Sequence, residues 1–256
     1  MVAAAPRADD TAPGAFGAER SPGVAAGAPG ADRGGALIAL EGVDGCGKST
    51  QARLLVEALQ RRGAAVGPLD APGTVVREPG GTPLGEGVRE LLLHRDHAVG
   101  AWAEALLYAA ARSQLAHDVL WPALAAGRVL VLDRYVDSSL AYQGHARGVG
   151  IDAVLQVNAA ATGGLLPDLS LVLELPRRVA AARRSSSPDR IEAEGEDLQK
   201  RVADGYAVLV RRFPQRMLVV PGDGDRAAVA ASVADAVLPW LERRGLLGRE
   251  ASGEPS

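Results

Sequence analysis

Hydrophobic positions along the chain fall into two recurring patterns. Short apolar runs, Ala36-Leu37-Ile38-Ala39-Leu40, Val129-Leu130-Val131-Leu132 and, broken by one serine, Leu169-Ser170-Leu171-Val172-Leu173, read as strands buried on both faces, with further strands at 74–77 and 217–220. Between them, apolar residues return every three or four positions. This spacing predicts helices at 49–62, 84–93, 102–124, 152–161, 177–184, 196–212 and 226–243, with Gly63 stopping the first and Pro122 ending or kinking the third. Strands that alternate with helices imply crossover connections. The expected architecture is α/β, a five-stranded parallel sheet with helices on both faces and ligands at the carboxyl ends of the strands. The pattern runs over residues 36–245 as one domain with no internal repeat.

Composition narrows the class without naming a function. The 256 residues are 47% hydrophobic and 23% charged, as in an ordinary globular chain. A net charge of −3 gives no global attraction to nucleic acid. Cys46 is the single cysteine, so no intrachain disulfide forms, and there is no Cys/His cluster with metal-ligand spacing. No apolar stretch reaches the ~18 residues of a membrane span. Residues 1–35 are rich in Ala, Gly and Pro and lack the basic start and apolar centre of a secretory signal. They are expected to be a disordered leader, 246–256 a flexible tail, and the protein cytoplasmic.

The chemistry begins directly after the first strand. Gly42-Val43-Asp44-Gly45-Cys46-Gly47-Lys48-Ser49, followed by Thr50, has two glycines with four residues between them and then Lys-Ser, the spacing of a phosphate-binding loop. Glycines let several backbone N–H groups face one anion, and the following helix adds its positive N-terminal end. Lys48 is expected to bridge the β- and γ-phosphates of ATP, with the Ser49 hydroxyl on Mg²⁺. Asp133, an acid at the end of an apolar strand, is the expected second carboxylate of that metal site, directly or through water. Cys46 reads either as a small loop residue or as a thiol near a helix N-terminus.

Phosphate loops serve GTPases, motor ATPases and small-molecule kinases alike. Neither lysine, Lys48 or Lys200, lies in an Asn-Lys-x-Asp guanine-reading segment. Arg77, Arg134, Arg183, Arg184 and Arg190 fall where loops leave strands, and the planar arginine fork suits phosphate. Each alone reads as a solvated surface charge; together they mark an acceptor site. A P-loop ATPase serving as an assembly or DNA-handling module is the contrasting expectation.

Four segments in order, Glu41 to Thr50, Arg77-Glu78-Pro79-Gly80-Gly81-Thr82, Leu106-Leu107-Tyr108-Ala109-Ala110-Ala111-Arg112, and Asp133-Arg134-Tyr135 with Ala141-Tyr142-Gln143-Gly144, resemble thymidylate kinase. The resemblance covers nearly all of 36–245 and implies a nucleoside-monophosphate-kinase-like fold, transfer of the γ-phosphoryl group from ATP to dTMP, Mg²⁺, and a homodimer. It implies that Arg77 and Arg134 hold the dTMP phosphate, Tyr108 stacks on thymine and Arg112 hydrogen-bonds the base. Tyr142 resembles the residue that crowds the sugar 2′ position, with Ser139 and Gln143 lining the same side, and Asp44 resembles the acid that approaches the acceptor 3′-hydroxyl. Many members carry Phe where Tyr108 stands. The phosphate loop holds no arginine, so the segment at about 183–195 resembles the mobile lid of the bacterial type, with Arg184 and Arg190 as its catalytic candidates.

Overall fold

The computed structural model describes residues 34–94, 98–183 and 188–248. The expectations for residues 1–33, Arg184 and residues 249–256 lie outside them.

Five strands form one parallel sheet in the order β2-β3-β1-β4-β5: β1 (Ala36–Glu41), β2 (Val76–Arg77), β3 (Val129–Asp133), β4 (Leu169–Glu174) and β5 (Met217–Pro221). β1 is central and in register with both neighbours, Leu40 opposite Asp133 on one side and Leu171 on the other. All six of its residues are buried. Its side chains alternate between two cores: Ala36, Ile38 and Leu40 face one, Leu37 and Ala39 the other. That division is what an uninterrupted apolar strand requires when both faces are covered.

The helices are α1 (Lys48–Arg61), α2 (Pro83–Leu93), α3 (Ala101–Leu115), α4 (Trp121–Ala125), α5 (Val136–Ser139), α6 (Ile151–Thr162), α7 (Arg177–Ala182), α8 (Gly195–Arg212) and α9 (Arg226–Arg243). α1, α8 and α9 supply the first core, and the end of α3 with α4 supplies much of the second. Thr82 caps α2 by accepting from Gly85 N at 3.0 Å, and Asp225 caps α9 through Ala228 N at 2.8 Å.

Three departures from the periodicity matter. The helix expected over 102–124 is interrupted by a π-turn, Ala116–Leu120, that joins α3 to α4; its wider i→i+5 bonding keeps the axis running while Pro122 sits in the first turn of α4, where its missing N–H costs least. A second π-segment, Leu140–Ala146, continues α5, and the sequence offered no helical signal there. Leu246 and Leu247 pack on the first core and Gly248 N donates to Arg62 O at 2.9 Å, so the packed chain continues past residue 245. Among the described residues, no helix is long and apolar enough to cross a membrane.

Candidate active site

At the carboxyl edge of the sheet a cavity of about 760 Å³ runs from the phosphate loop to α3. Asp44, Gly45, Cys46, Gly47, Lys48, Ser49 and Thr50 line it. Gly42 has φ 136°, and a Cβ there would lie 2.8 Å from Leu173 O and 2.9 Å from Cys46 Sγ, so the strand can turn into the loop only at glycine. Gly47, at φ 96°, opens α1. Lys48 Nζ donates to Val43 O at 2.8 Å and Gly42 O at 3.1 Å, with Cys46 Sγ 3.6 Å away. Gly42 and Val43 were expected among the nucleotide contacts but do not line the cavity; they stand behind it and hold the lysine through their carbonyls.

The Ser49 hydroxyl donates to Asp133 Oδ2, and both residues line the cavity. A hydroxyl beside a carboxylate is a hard oxygen pair suited to Mg²⁺. Among the described residues no group of three or more His, Cys, Asp or Glu could hold an ion, so the pair fits a cation that brings further ligands with its nucleotide.

Arg134, directly after β3, is the one non-glycine residue with positive φ among those described, at 72°. Its N–H donates to Leu40 O at 3.0 Å, and Tyr135 N donates to Glu41 Oε1 at 2.8 Å, which holds this turn. The guanidinium thereby reaches Gly42 O and Ser138 Oγ and ion-pairs with Asp44. The Tyr142 hydroxyl bridges the pair, donating to Asp44 Oδ2 at 3.0 Å and accepting from Arg134 at 3.2 Å. Burial alone would raise Asp44, but Arg134, Lys48 and hydrogen bonds from Gln199 and Tyr142 outweigh it and hold the carboxyl at about 2. Glu41, fully buried, accepts from Ser138 and Tyr206; burial and nearby Asp137 push it up to about 6.

The far end of the cavity is built on α3. Tyr108 and Arg112, one turn apart, both line it, as do Ser139 and Gln143. Burial pushes the Tyr108 phenol well above its usual range, so the ring stays neutral. Arg112 is 2% exposed and donates to Glu78, Ser139, Asn158 and Tyr135 O. Glu78 keeps Oε1 without a partner, and burial, opposed by Arg112, pushes the acid up to about 7.

A family model described as thymidylate kinase matches residues 40–233. The thymidylate kinase of Caldanaerobacter subterraneus subsp. tengcongensis is 41% identical over 209 residues, covering 81% of this chain and 97% of its own. Those of a Synechococcus strain and Pelotomaculum thermopropionicum are 46% and 47% identical, covering 80% and 75% of this chain and 95% and 87% of theirs. The chain belongs to the thymidylate kinase family.

Against the site residues expected for a thymidylate kinase, the cavity gathers Asp44, Arg77, Tyr108, Arg112, Asp133, Arg134, Ser139, Tyr142 and Gln143. Arg77 is half exposed and pairs with Glu86 at 3.2 Å. Arg89 was missed. It lies on α2, lines the cavity and donates to Pro79 O at 3.1 Å, and its pKa is lowered by burial and by the like charge of Arg77. On a helix that looks amphipathic its charge resembles a solvated one; its only signal was its place about two helical turns after the Arg77 loop. Gly222, Gly224 and Asp225, in the turn between β5 and α9, line it as well.

The two described arginines of the expected lid segment, Arg183 and Arg190, are placed differently. Arg190, expected to be catalytic, does not line the cavity: it donates to Leu92 O at 2.7 Å and Glu104 Oε2 at 2.5 Å and sits 3.6 Å from Glu194. A buried carboxylate and a carbonyl claim its guanidinium. Arg183, exposed, does line the cavity, with Asp189 and Glu192.

Proposed function

We infer that the chain is a cytoplasmic ATP:dTMP phosphotransferase of dTTP synthesis, forming dTDP and ADP. One observation carries the reading: a single cavity joins a phosphate loop to three arginines, Arg77, Arg89 and Arg134, and beyond them to Tyr108 and Arg112. A bare ATPase has no use for a second anion site ending in an aromatic ring beside a buried guanidinium.

In this reading ATP lies on the loop, and Lys48 exchanges the carbonyls of Gly42 and Val43 for phosphate oxygens. Ser49 and Asp133 would hold Mg²⁺, whose chemistry there would be to neutralise charge on the transferring group. Arg77, Arg89 and Arg134 fix the acceptor phosphate, so its oxygen lies in line with the γ-phosphorus, and transfer is direct with no covalent enzyme intermediate. Asp44, already ionised, accepts the 3′-hydroxyl, and Tyr142 fills the space a 2′-hydroxyl would need. Tyr108 stacks on the base. Residues 183–195 act as a lid on a kinase unit that runs from residue 36 past 245, and the catalytic lid charge falls to Arg183 or Arg184. Closure excludes water and limits ATP hydrolysis.

We assign the dimer surface to α2 and α3. Leu84, Leu91, Trp102 and Leu106 are each about half exposed, and Leu84 with Leu91 and Trp102 with Leu106 share helical faces.

The test is ADP release with ATP, Mg²⁺ and a panel of dTMP, dUMP, UMP, AMP and thymidine, with the product identified by mass. Preferred formation of dTDP is expected; ATP turnover with no phosphorylated acceptor, or turnover stimulated by DNA, would sink the reading.

A further inference from the structure

Glu104 is fully buried, four residues before Tyr108 and eight before Arg112, and so heads the α3 face that lines the base end of the cavity. Its Oε1 accepts from Gln143 Nε2 at 2.9 Å and Arg147 Nε at 3.1 Å, and its Oε2 from Arg147 Nη2 at 3.1 Å and Arg190 Nη2 at 2.5 Å. Burial opposes its charge, but the bonds from Arg190, Arg147 and Gln143 outweigh it and keep the carboxyl below its usual range. Glu104 is therefore an acceptor only.

An acceptor-only neighbour decides which end of an amide faces it. Gln143 turns Nε2 to Glu104, which leaves Oε1 as the polar atom for the cavity that Gln143 lines. Arg112 has committed Nε, both Nη1 hydrogens and one Nη2 hydrogen, to Glu78, Ser139, Asn158 and Tyr135 O. One donor remains. The base end thus offers an acceptor from Gln143 together with a donor from Arg112.

We propose that Glu104 is a positioning residue that sets the polarity of base reading. By fixing the Gln143 amide with Oε1 toward the cavity, it selects a pyrimidine that shows a ring N–H beside a carbonyl, as thymine and uracil do. A pyrimidine with a ring lone pair beside an amino group, as in cytosine, meets acceptor against acceptor and donor against donor. The inference rests on the dTMP-kinase reading above. The same carboxylate carries Arg190, so lid anchorage and base reading share one group.

Glu104→Gln tests it, because an amide at 104 can face Gln143 with either end. The kcat/KM of wild type and variant is measured with dTMP and dCMP, alongside the melting temperature. The dTMP:dCMP ratio is expected to fall at least about tenfold in the variant. A ratio that stays level while both rates drop would make Glu104 a support for Arg147 and Arg190 only, and would overturn the proposal. Should the variant not fold, a crystal structure of the wild-type chain with dTMP decides: Gln143 bridging Glu104 and the ring N–H supports the proposal, and Gln143 turned away from Glu104 refutes it. Wild-type protein that leaves dTMP unphosphorylated removes the functional reading and this inference together, whereas dTMP turnover with a level ratio removes this inference alone.

Discussion

Arg134, directly after β3, and Asp44 in the phosphate loop form an ion pair with side chains 18% and 17% exposed, so the turn after β3 and the phosphate loop share a charge contact. Asp44 titrates at about 2 instead of 3.8. Its folded pKa is depressed, so the stability it contributes is present above pH 4 and lost as pH falls toward 2. The shift corresponds to about 2 kcal/mol. Asp44→Asn is expected to flatten the acid limb of the unfolding profile by about that amount; an identical limb in wild type and variant, followed by circular dichroism, would refute the coupling.

Arg77 and Arg134 are expected to act through the acceptor. Arg77→Ala and Arg134→Lys should each raise the KM for dTMP tenfold or more, with the KM for ATP within about threefold, because neither a methyl group nor a point charge replaces a planar fork. Unaltered KM for dTMP in steady-state assays would remove these residues from the phosphate site.

The two described lid arginines should separate. Arg183→Ala is expected to lower kcat by about 10²- to 10³-fold with little change in either KM. Arg190→Ala should instead destabilise the fold by about 1–3 kcal/mol, since Glu104 loses one of its partners while buried. Thermal melts and kcat for both variants check the division; the reverse pattern would restore Arg190 as the catalytic group.

Glu78, raised from 4.5 to about 7, predicts the opposite pH dependence from Asp44. The folded state binds more protons than the unfolded one between those values, so this contribution is complete below pH 4.5 and is lost as pH rises through about 7. The loss is on the order of 3 kcal/mol. Glu78→Gln should lessen the drop in melting temperature between pH 5 and pH 8, leaving the smaller part due to Glu41. An equal drop in both proteins counts against a raised acid at 78.

Leu91→Asp on α2 and Leu106→Asp on α3 should convert a dimer to monomers at micromolar concentration, with folded spectra retained. Sedimentation velocity reads the outcome; a dimer that persists in both variants places the contact elsewhere.

What the sequence made legible was what rests on local rules. Short apolar runs located β1, β3 and β4, and the spacing of Gly42, Gly47, Lys48 and Ser49 located the phosphate loop, because strand burial and anion cradling each dictate residues near one another in the chain. The π-segment Leu140–Ala146 was not legible. Its i→i+5 bonds, such as Arg147 N to Tyr142 O at 2.8 Å, match neither the strand nor the helix period, yet they place Tyr142 and Gln143 in the cavity. Arg89, Glu104 and Arg190 share a different difficulty: a charge on a helix or loop reads as solvated until the tertiary fold covers it. For Arg190 the partner lies 86 residues away, beyond any windowed pattern.

The left-handed backbone of Arg134 has a bearing on redesign. A scheme that ranks substitutions by conformational ease would place glycine at 134 and relieve about 1 kcal/mol or more of strain. The hardier polypeptide would lack the guanidinium that ties the turn after β3 to the phosphate loop, and with it the acceptor contact proposed above. At this position thermostability and turnover are alternatives, and sequences evolved or selected for heat tolerance alone should lose the arginine first.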